Sequence, residues 1–417
     1  MKFRLTEVKE YKTLINCIAS IPSIRKQFNS IEQCIQLEVI PRNQEAESFD
    51  VLEISTVDSN SHSIKLSTEV EALEEGKQLI LSSVLKTMTA KLNKNYCVLV
   101  SDVDNMLHYT AKPYGTISDY QFFKQDINLS SQFDSEIDWE LEPYVIDNLE
   151  VGEEMISSIV SNTYLEREVY VTINKIEDSP NRVLIHYYVQ SSETSYIKYS
   201  AKLNGRVGAV DQLSFSIRPN LLAIVGKLNY NSALRFSKEK QLVQFKSERA
   251  DIVVRVDTSV NKTARKIDSI LASEEKGSVT IGINTLKEAL SFQSYNKKDT
   301  DIIQLSVEEV AEEEQRGNRN SLLHINADKL NKPSKLEVVG EGEFDLIHLS
   351  ISHLTKAISA VESNMSSNSK KEDDGIVISI REIPVKNSTP IKAIEIRSSL
   401  ADVEQGENKV VLYETRF

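Results

Sequence analysis

A unit made of one strand, one short helix and several alternating strands recurs three times along the chain. The clearest copy spans Phe215–Val256, where Pro219 begins a helix whose apolar residues recur at helical spacing. The apolar face of the helix ends at Leu92 in the first copy, at Leu228 in the second and at Val361 in the third. Successive positions lie 136 and 133 residues apart. Both spacings are close to one third of 417 residues. This periodicity predicts three tandem copies of one domain.

A second match aligns the starts of the first and third copies, and the order of elements along each copy indicates two similar halves. Lys2–Thr6 aligns with Thr280–Asn284 at an offset of 278 residues, and Thr6 and Asn284 both stand where a helix N-cap is expected. Each half is predicted as a strand, a helix and further half-buried strands. The predicted fold is therefore α+β, with two helices packed on antiparallel sheets in each of three domains.

The domain borders follow from changes in composition. Two polar stretches lack clear periodicity and are interpreted as linkers, the first of which contains Trp139, the only tryptophan. Glu308–Glu314 and Ser366–Asp374 are interpreted as solvated loops inside the third copy. The predicted organisation is domain one at 1–118, a linker at 119–143, domain two at 144–257, a linker at 258–277 and domain three at 278–417.

Composition limits the class of protein and its compartment. The net charge of −13 argues at first sight against a nucleic-acid binder, since phosphate contacts need local positive charge. Cys17, Cys34 and Cys97 are odd in number and lack metal-ligand spacing, which favours reduced thiols in a cytoplasmic protein. No apolar run has the length of a membrane span, and the N-terminus has no signal-peptide core.

The sequence contains no motif that is typical of an enzyme. Phosphate-binding, dinucleotide-binding, zinc-protease and serine-hydrolase patterns are all absent. Asp102 and Asp104 are spaced as in a calcium loop, but Leu107 replaces its glycine. His348 and His353 flank a strand-to-helix turn without a carboxylate or cysteine at ligand spacing. We therefore predict a protein with no enzymatic activity, cofactor or metal, with an enzyme of dispersed residues as the least favoured alternative.

The repeat pattern and both chain ends resemble one protein family. Three copies in a chain of this length, the opening residues MKF and the closing residues KVVLYETRF together resemble the bacterial DNA sliding clamp, the beta subunit of DNA polymerase III. Three features depart from that family, one of which is that the linkers are longer. Ser192–Ser195 stands in place of an Asp-Gly-His-Arg-type turn, and the tail lacks the usual methionines and proline. The departures suggest a divergent clamp, such as one from a large bacterial virus.

The resemblance implies a homodimer in which two chains form a head-to-tail ring around double-stranded DNA, with helices inside and sheets outside. It also implies a replicative polymerase and a clamp loader as partners, and no membrane. Helices that face DNA need an apolar side for the sheet and a partly basic side for the phosphates. The alternative for any such lysine is an ordinary solvated side chain. The lysines on the predicted helices that fit are Lys9, Lys12, Lys86, Lys91, Lys227, Lys287 and Lys356.

The resemblance also implies a pocket for partner peptides between the middle and last domains. Its predicted residues are Tyr196, Tyr199, Leu412, Tyr413 and Phe417. The alternative for Phe417 is that it closes the last strand onto the core. The ring joints are predicted where the sheet edge at Met106–Ala111 meets the region of Leu290–Tyr295.

Two further alternatives follow from the same features. A β-rich structural protein built from repeats, such as a virion component without a DNA role, would also be acidic and free of catalytic motifs. A two-domain clamp that forms a trimer, of the eukaryotic and T-even type, fits less well because the chain has three copies.

Overall fold

A computed structural model gives the architecture of the chain. It describes residues 1–19, 34–41, 49–57, 63–92, 97–103, 106–112, 118–123, 139, 144–149, 153–164, 167–207, 212–228, 232–259, 261–294, 302–310, 320–327, 333–363, 375–385, 389–400 and 407–414.

Seven helices lie within these ranges. Six of them begin within four residues of the end of a strand, which is the repeated strand-to-helix step that the sequence predicts. The remaining helix, at Lys262–Leu271, lies outside that pattern. The helices are α1 (Val8–Ala19), α2 (Ser82–Ala90), α3 (Glu153–Ser161), α4 (Pro219–Leu228), α5 (Lys262–Leu271), α6 (Ile283–Ser294) and α7 (Ile351–Ser363).

The chain divides into two compact units, and each contains one large antiparallel sheet. The first unit comprises Met1–Glu153, Gly205–Val210 and Asn220–Asp257. Its strands are β1 (Lys2–Leu5), β2 (Cys34–Ile40), β3 (Asp50–Val57), β4 (Ser63–Glu74), β5 (Gly76–Leu81), β6 (Cys97–Val103), β7 (Met106–Lys112), β8 (Ser118–Phe123), β9 (Tyr144–Leu149), β13 (Arg206–Val207), β15 (Ser232–Ser237), β16 (Leu242–Lys246) and β17 (Ala250–Arg255).

The core of the first unit lies between this sheet and its helices. Strand β4 alternates half-buried and buried residues over most of its length, because one face packs inward and the other faces water. Helix α1 buries Tyr11, Leu14, Ile15 and Ile18, the stripe that the sequence predicts, and it contacts α2, β3 and β4. The Tyr11 ring meets Phe3 of β1 edge to face, with the ring centroids 6.4 Å apart.

The second unit comprises Glu154–Asn204, Asp211–Pro219 and Thr258–Phe417. Its helices α6 and α7 contact each other, and α7 also packs on the last two strands. The strands are β10 (Val169–Lys175), β11 (Arg182–Gln190), β12 (Ser195–Asn204), β14 (Gln212–Ile217), β18 (Glu274–Gly282), β19 (Ile302–Glu309), β20 (Ser321–Asn326), β21 (Ser334–Gly342), β22 (Ile347–Ser350), β23 (Gly375–Ile383), β24 (Ile391–Ser398) and β25 (Glu407–Tyr413).

Both sheets continue across the predicted domain borders. In the first unit β17 pairs with β4, with Ala250 opposite Leu66. In the second unit β12 pairs with β25, with Ser195 opposite Leu412 and Ser200 opposite Glu407. Strands assigned to the middle copy are therefore shared between the two units, and each junction is sealed by backbone hydrogen bonds.

Two segments that were predicted as linkers contain regular structure. Strand β8 lies at the start of the first and pairs with β7, so Met106–Ala111 is not a sheet edge as predicted; β8 is the outermost strand. Helix α5 and the start of β18 occupy the second. Both segments are short and rich in polar residues, so their composition resembles that of a linker.

Other predicted features fall partly outside the described residues. Residues 311–314 and 366–374 of the two predicted loops lie there, and so do the side chain of Cys97 and the predicted calcium-loop side chains. Cys17 and Cys34 are buried, and burial raises the pKa of Cys34 to about 11. No helix of the described part is long and apolar enough to cross a membrane.

Candidate functional site

The predicted DNA-contacting lysines fall into two groups in the structure. Five are exposed, on or directly after the repeat helices, while the other two are half-buried where two helices meet. The Nζ of Lys12 on α1 donates to the carbonyl of Ala90 in the last turn of α2, at 3.0 Å. Lys287 on α6 forms an ion pair with Glu362 on α7. The exposed lysines are Lys9, Lys86, Lys91, Lys227 and Lys356.

The glutamates within α1 and α7 are engaged with cations, whereas Glu7, directly before α1, is exposed. Glu10 on α1 is paired with Arg249, with 2.7 Å between Oε1 and Nη1. Glu362 on α7 is paired with Lys287. Within the described parts of α1, α2 and α7, the exposed faces therefore carry no carboxylate. Their exposed residues are Lys9, Thr13 and Asn16 on α1, Ser83, Lys86, Thr87 and Ala90 on α2, and Thr355, Lys356, Ser359 and Ser363 on α7.

These faces have the chemistry that phosphate contacts require. Lysines supply charge, and hydroxyl and amide groups supply neutral hydrogen bonds to phosphate oxygens. Helices α3 and α6 are less suited, since α3 contains two glutamates and no basic residue and Glu288 is exposed on α6. The positive character is concentrated on α1, α2, α4 and α7.

A second candidate surface lies where β12 meets β25. Side chains alternate across this pair, so Tyr196 and Tyr413 lie on one face of the sheet. Their rings meet edge to face at 5.9 Å. The N–H of Tyr413 donates to the carbonyl of Thr194 at 3.0 Å, which holds the chain end against the β11–β12 turn.

Two of the predicted partner residues belong to the opposite face. Tyr199 is fully buried, and its hydroxyl accepts a hydrogen bond from Asn162 after α3 at 3.1 Å. Burial raises the pKa of Tyr199 to about 12. Leu412 is also buried, opposite Ser195. Both side chains are core residues here and line no exposed surface, while Phe417 lies outside the described residues.

Helix α5 covers the face that bears Tyr196 and Tyr413. Ala264 and Ile267 pack against the tyrosines of β10–β12, and Ile270 packs against β24 and β25. The Nζ of Lys266 lies 4.7 Å from the Tyr196 ring centroid and 4.3 Å from that of Tyr413. This helix was not predicted from the sequence, although Asn261 and the spacing of Ala264, Ile267 and Ile270 are typical of a capped amphipathic helix.

The two histidines considered as metal ligands each contact protein groups. The Nδ1 of His353 lies 3.1 Å from the Thr194 hydroxyl, and burial, together with Lys356, lowers the pKa of His353. His348 lies 3.2 Å from Gln304 and 3.6 Å from the Glu414 carboxylate. His353 connects the corner between β22 and α7 to the turn between β11 and β12. His348 connects the same corner to the C-terminal segment.

Similarity to known proteins is found at the level of structure. No protein-family model and no curated protein matches the sequence. The structure matches the Helicobacter pylori beta clamp at 14% identity and a TM-score of 0.68, over 100% of both chains. It matches the Borrelia burgdorferi DNA polymerase III subunit beta at 13% identity and a TM-score of 0.68, over 100% of both chains.

It also matches the Bacillus subtilis DNA polymerase sliding clamp at 12% identity and a TM-score of 0.68, over 100% of this chain and 99% of that one. A further Helicobacter pylori beta clamp, bound to a DNA ligase peptide, matches at 14% identity and a TM-score of 0.66, over 100% of both chains. The chain therefore has the tandem-domain fold of the bacterial DNA polymerase III beta clamps.

Proposed function

We propose that the protein is a DNA sliding clamp, a non-enzymatic processivity factor that encircles duplex DNA and tethers the replicative polymerase. Two chains form a closed head-to-tail ring, which a clamp loader opens and places on DNA in the cytoplasm, the host's if the source is a bacteriophage. The fold supports the proposal, since the similar solved structures are DNA polymerase clamps.

The observation that carries the proposal is the sorting of charge on the helices. The chain has a net charge of −13, yet the described exposed faces of α1, α2 and α7 carry lysines and hydroxyls without a carboxylate. Phosphate contacts of this kind do not depend on the DNA sequence, which is what a sliding ring requires. A clamp holds DNA by topology, so the individual contacts need not be strong. The acidic excess then belongs to surfaces that do not face DNA.

The ring joints are proposed at α6 and at the edge strand β8. Phe292 on α6 is 67% exposed, although its neighbours Leu290 and Gln293 are buried. An exposed aromatic residue on a helix is typical of an interface anchor. In a head-to-tail dimer each chain contributes both surfaces, so two identical joints close the ring.

The partner site is proposed beside Tyr196 and Tyr413, at the point where the C-terminal tail leaves β25. A flexible peptide binds through a few side chains in a groove, and the half-buried Tyr413 ring with Phe417 supplies the apolar anchors, while the buried Tyr196 ring supports Tyr413 from beneath α5. The similar Helicobacter pylori clamp bound to a DNA ligase peptide supports peptide binding by this fold. Tyr199 and Leu412 act in this proposal only by supporting the sheet beneath.

The test of the proposal is retention on DNA after charge reversal. Changing Lys9, Lys86, Lys91, Lys227 and Lys356 together to Glu is expected to abolish retention of the loaded ring on closed circular duplex DNA. Each single change should reduce the slope of log affinity against log salt by about 0.9, if that lysine contacts one phosphate. Lys12 and Lys287 are left intact because they join helices.

A matched control reverses the same number of charges on strands and turns: Lys77, Lys238, Lys246, Arg255 and Lys335, all exposed. We expect the control ring to be retained like the unchanged protein. Equal retention of the helix variant and the control would contradict the proposal.

A further inference from the structure

Helix α5 lies on the opposite face of the second sheet from α3. Strand β12 shows this directly, since alternate side chains contact different helices. Tyr199 reaches Ser158 and Asn162 in and after α3, whereas Tyr196 and Lys198 reach Lys266 and Asp268 of α5. The surface of α5 is therefore separate from the α3-facing side of this sheet.

The inner side of α5 is fully used in packing. Ala264, Ile267 and Ile270 are buried. Asp268, the only acidic residue of the helix, accepts hydrogen bonds from the Tyr188 hydroxyl at 2.9 Å and from the Lys198 ammonium at 2.7 Å. The one carboxylate of α5, Asp268, is therefore paired with groups of the second sheet.

The outer side of α5 is basic. Lys262, Arg265 and Lys266 are exposed, and none of them forms an ion pair with a described carboxylate. Lys262 and Arg265 lie in the first half of the helix, where the macrodipole is positive and cations lower helix stability. The fold accounts for Lys266 through its contacts with Tyr196 and Tyr413, but it gives no structural reason for Lys262 and Arg265 in an acidic chain.

Lys266 connects this cluster to the aromatic pair below it. Its Nζ donates to the Tyr196 hydroxyl at 3.1 Å and lies over the rings of Tyr196 and Tyr413. Tyr413 is half-buried, so one part of its ring is accessible beside the ammonium group. The Lys266 ammonium group and the accessible part of the Tyr413 ring therefore lie side by side.

We propose that Lys262, Arg265 and Lys266 form a docking surface for an acidic segment of a partner protein. Carboxylates of the segment form charge-assisted hydrogen bonds with the guanidinium and ammonium groups. A neighbouring apolar side chain of the segment contacts Tyr413. The inference rests on the proposed function in one respect, since it names the chemistry of the tethered partner.

The dimensions of the surface favour a peptide over duplex DNA. The three cations lie within five consecutive residues, a rise of about 6 Å along the helix axis. Beyond the end of α5, Glu274 and Glu275 form ion pairs with Lys276 and Arg381 and add no free cation to the surface. A surface of this length suits a short acidic segment, whereas duplex DNA needs phosphate contacts spread over a longer stretch.

The test compares acidic, neutral and basic peptides of one length, displayed on an array and probed with the full chain. We expect the bound peptides to be enriched in Asp and Glu. The variant Lys262→Glu with Arg265→Glu is expected to weaken binding of the best acidic peptide by about tenfold, a typical effect of reversing two exposed charges. Both residues lack described side-chain partners, so the fold should be preserved, and thermal unfolding checks this.

A matched control changes Lys238 and Lys335, exposed lysines on other elements, to Glu and is expected to bind the peptide as before. No acidic enrichment, or equal binding by the α5 variant and the control, would overturn the inference. Loss of duplex DNA binding in the α5 variant would also overturn it, because the surface would then be a nucleic-acid contact. If a ring never retains DNA but acidic peptides still require Lys262 and Arg265, the clamp proposal fails and this inference stands.

Discussion

At the scale of single residues, ion pairing decides which charged side chains stabilise the fold and which remain available to bind a partner. On the face of the second sheet that α5 covers, Glu395 is almost fully buried, and its carboxylate is held by Arg381 at 2.6 Å and by Arg397 at 3.7 Å. Arg381 also donates to the carbonyl of Ser273, at the end of α5. The buried carboxylate therefore joins strands β23 and β24 to the segment that leads out of α5.

Removing the charge of Glu395 tests this network. The change Glu395→Gln keeps the shape of the side chain but leaves two arginines without their buried partner. We expect the free energy of unfolding to fall by about 3 kcal/mol, as for other broken buried pairs. Urea unfolding followed by circular dichroism measures it. Glu308→Gln, at an exposed carboxylate, is the control and should change stability little.

A fall in stability of less than about 0.5 kcal/mol for Glu395→Gln, similar to a surface substitution, would contradict the structural role assigned to this carboxylate.

At the scale of elements, the sequence reveals the six repeat helices but not α5. The apolar stripe of α1 and the buried Leu286, Ala289, Leu290 and Gln293 of α6 are as predicted, because helix periodicity is a local signal. The apolar stripe of α5 has only three buried residues, Ala264, Ile267 and Ile270, so the polar composition of the segment resembles that of a linker. Tyr199 and Leu412 were placed in the partner pocket because sequence alone does not indicate which face of β12 or β25 a helix covers.

The C-terminal tail is the element on which the partner site depends. Deleting Glu414–Phe417 removes the tail together with the contacts of Glu414 to Lys392 and His348, while β25 keeps its pairing with β12 and β24. We expect the ring to remain intact and binding of polymerase-derived peptides to be lost. Fluorescence anisotropy with labelled peptides measures the binding, and sedimentation measures the ring.

Unchanged peptide affinity in the truncated ring would place the pocket elsewhere on the molecule. The variant Leu400→Asp, at an exposed apolar residue of the β24–β25 turn, is a control that should keep both the ring and the peptide.

At the scale of the whole molecule, the proposed ring requires two joints between chains. The division into three domains stays a prediction, because the strands of the middle copy are shared between two units. Each unit carries one proposed joint surface, β8 in the first and Phe292 in the second. Ring closure therefore depends on both units of each chain.

Phe292 tests the joints directly. Replacing the exposed ring with Asp removes an apolar anchor and places a charge in the interface, so we expect dimer affinity to fall by at least about thirtyfold. Sedimentation equilibrium of Phe292→Asp measures the shift towards monomer. Leu400→Asp, at a residue of similar exposure, should remain dimeric. If Phe292→Asp forms the dimer with unchanged affinity, α6 is not part of the joint.

The most direct test of the account is the shape and mass of the particle in solution. Electron-microscope class averages of the full chain at micromolar concentration, with the mass from light scattering, report both. We predict a closed ring with a central opening and pseudo-six-fold symmetry, whose mass is that of two 47.1 kDa chains. Monomers, trimers or particles without an opening would contradict the sliding-clamp assignment.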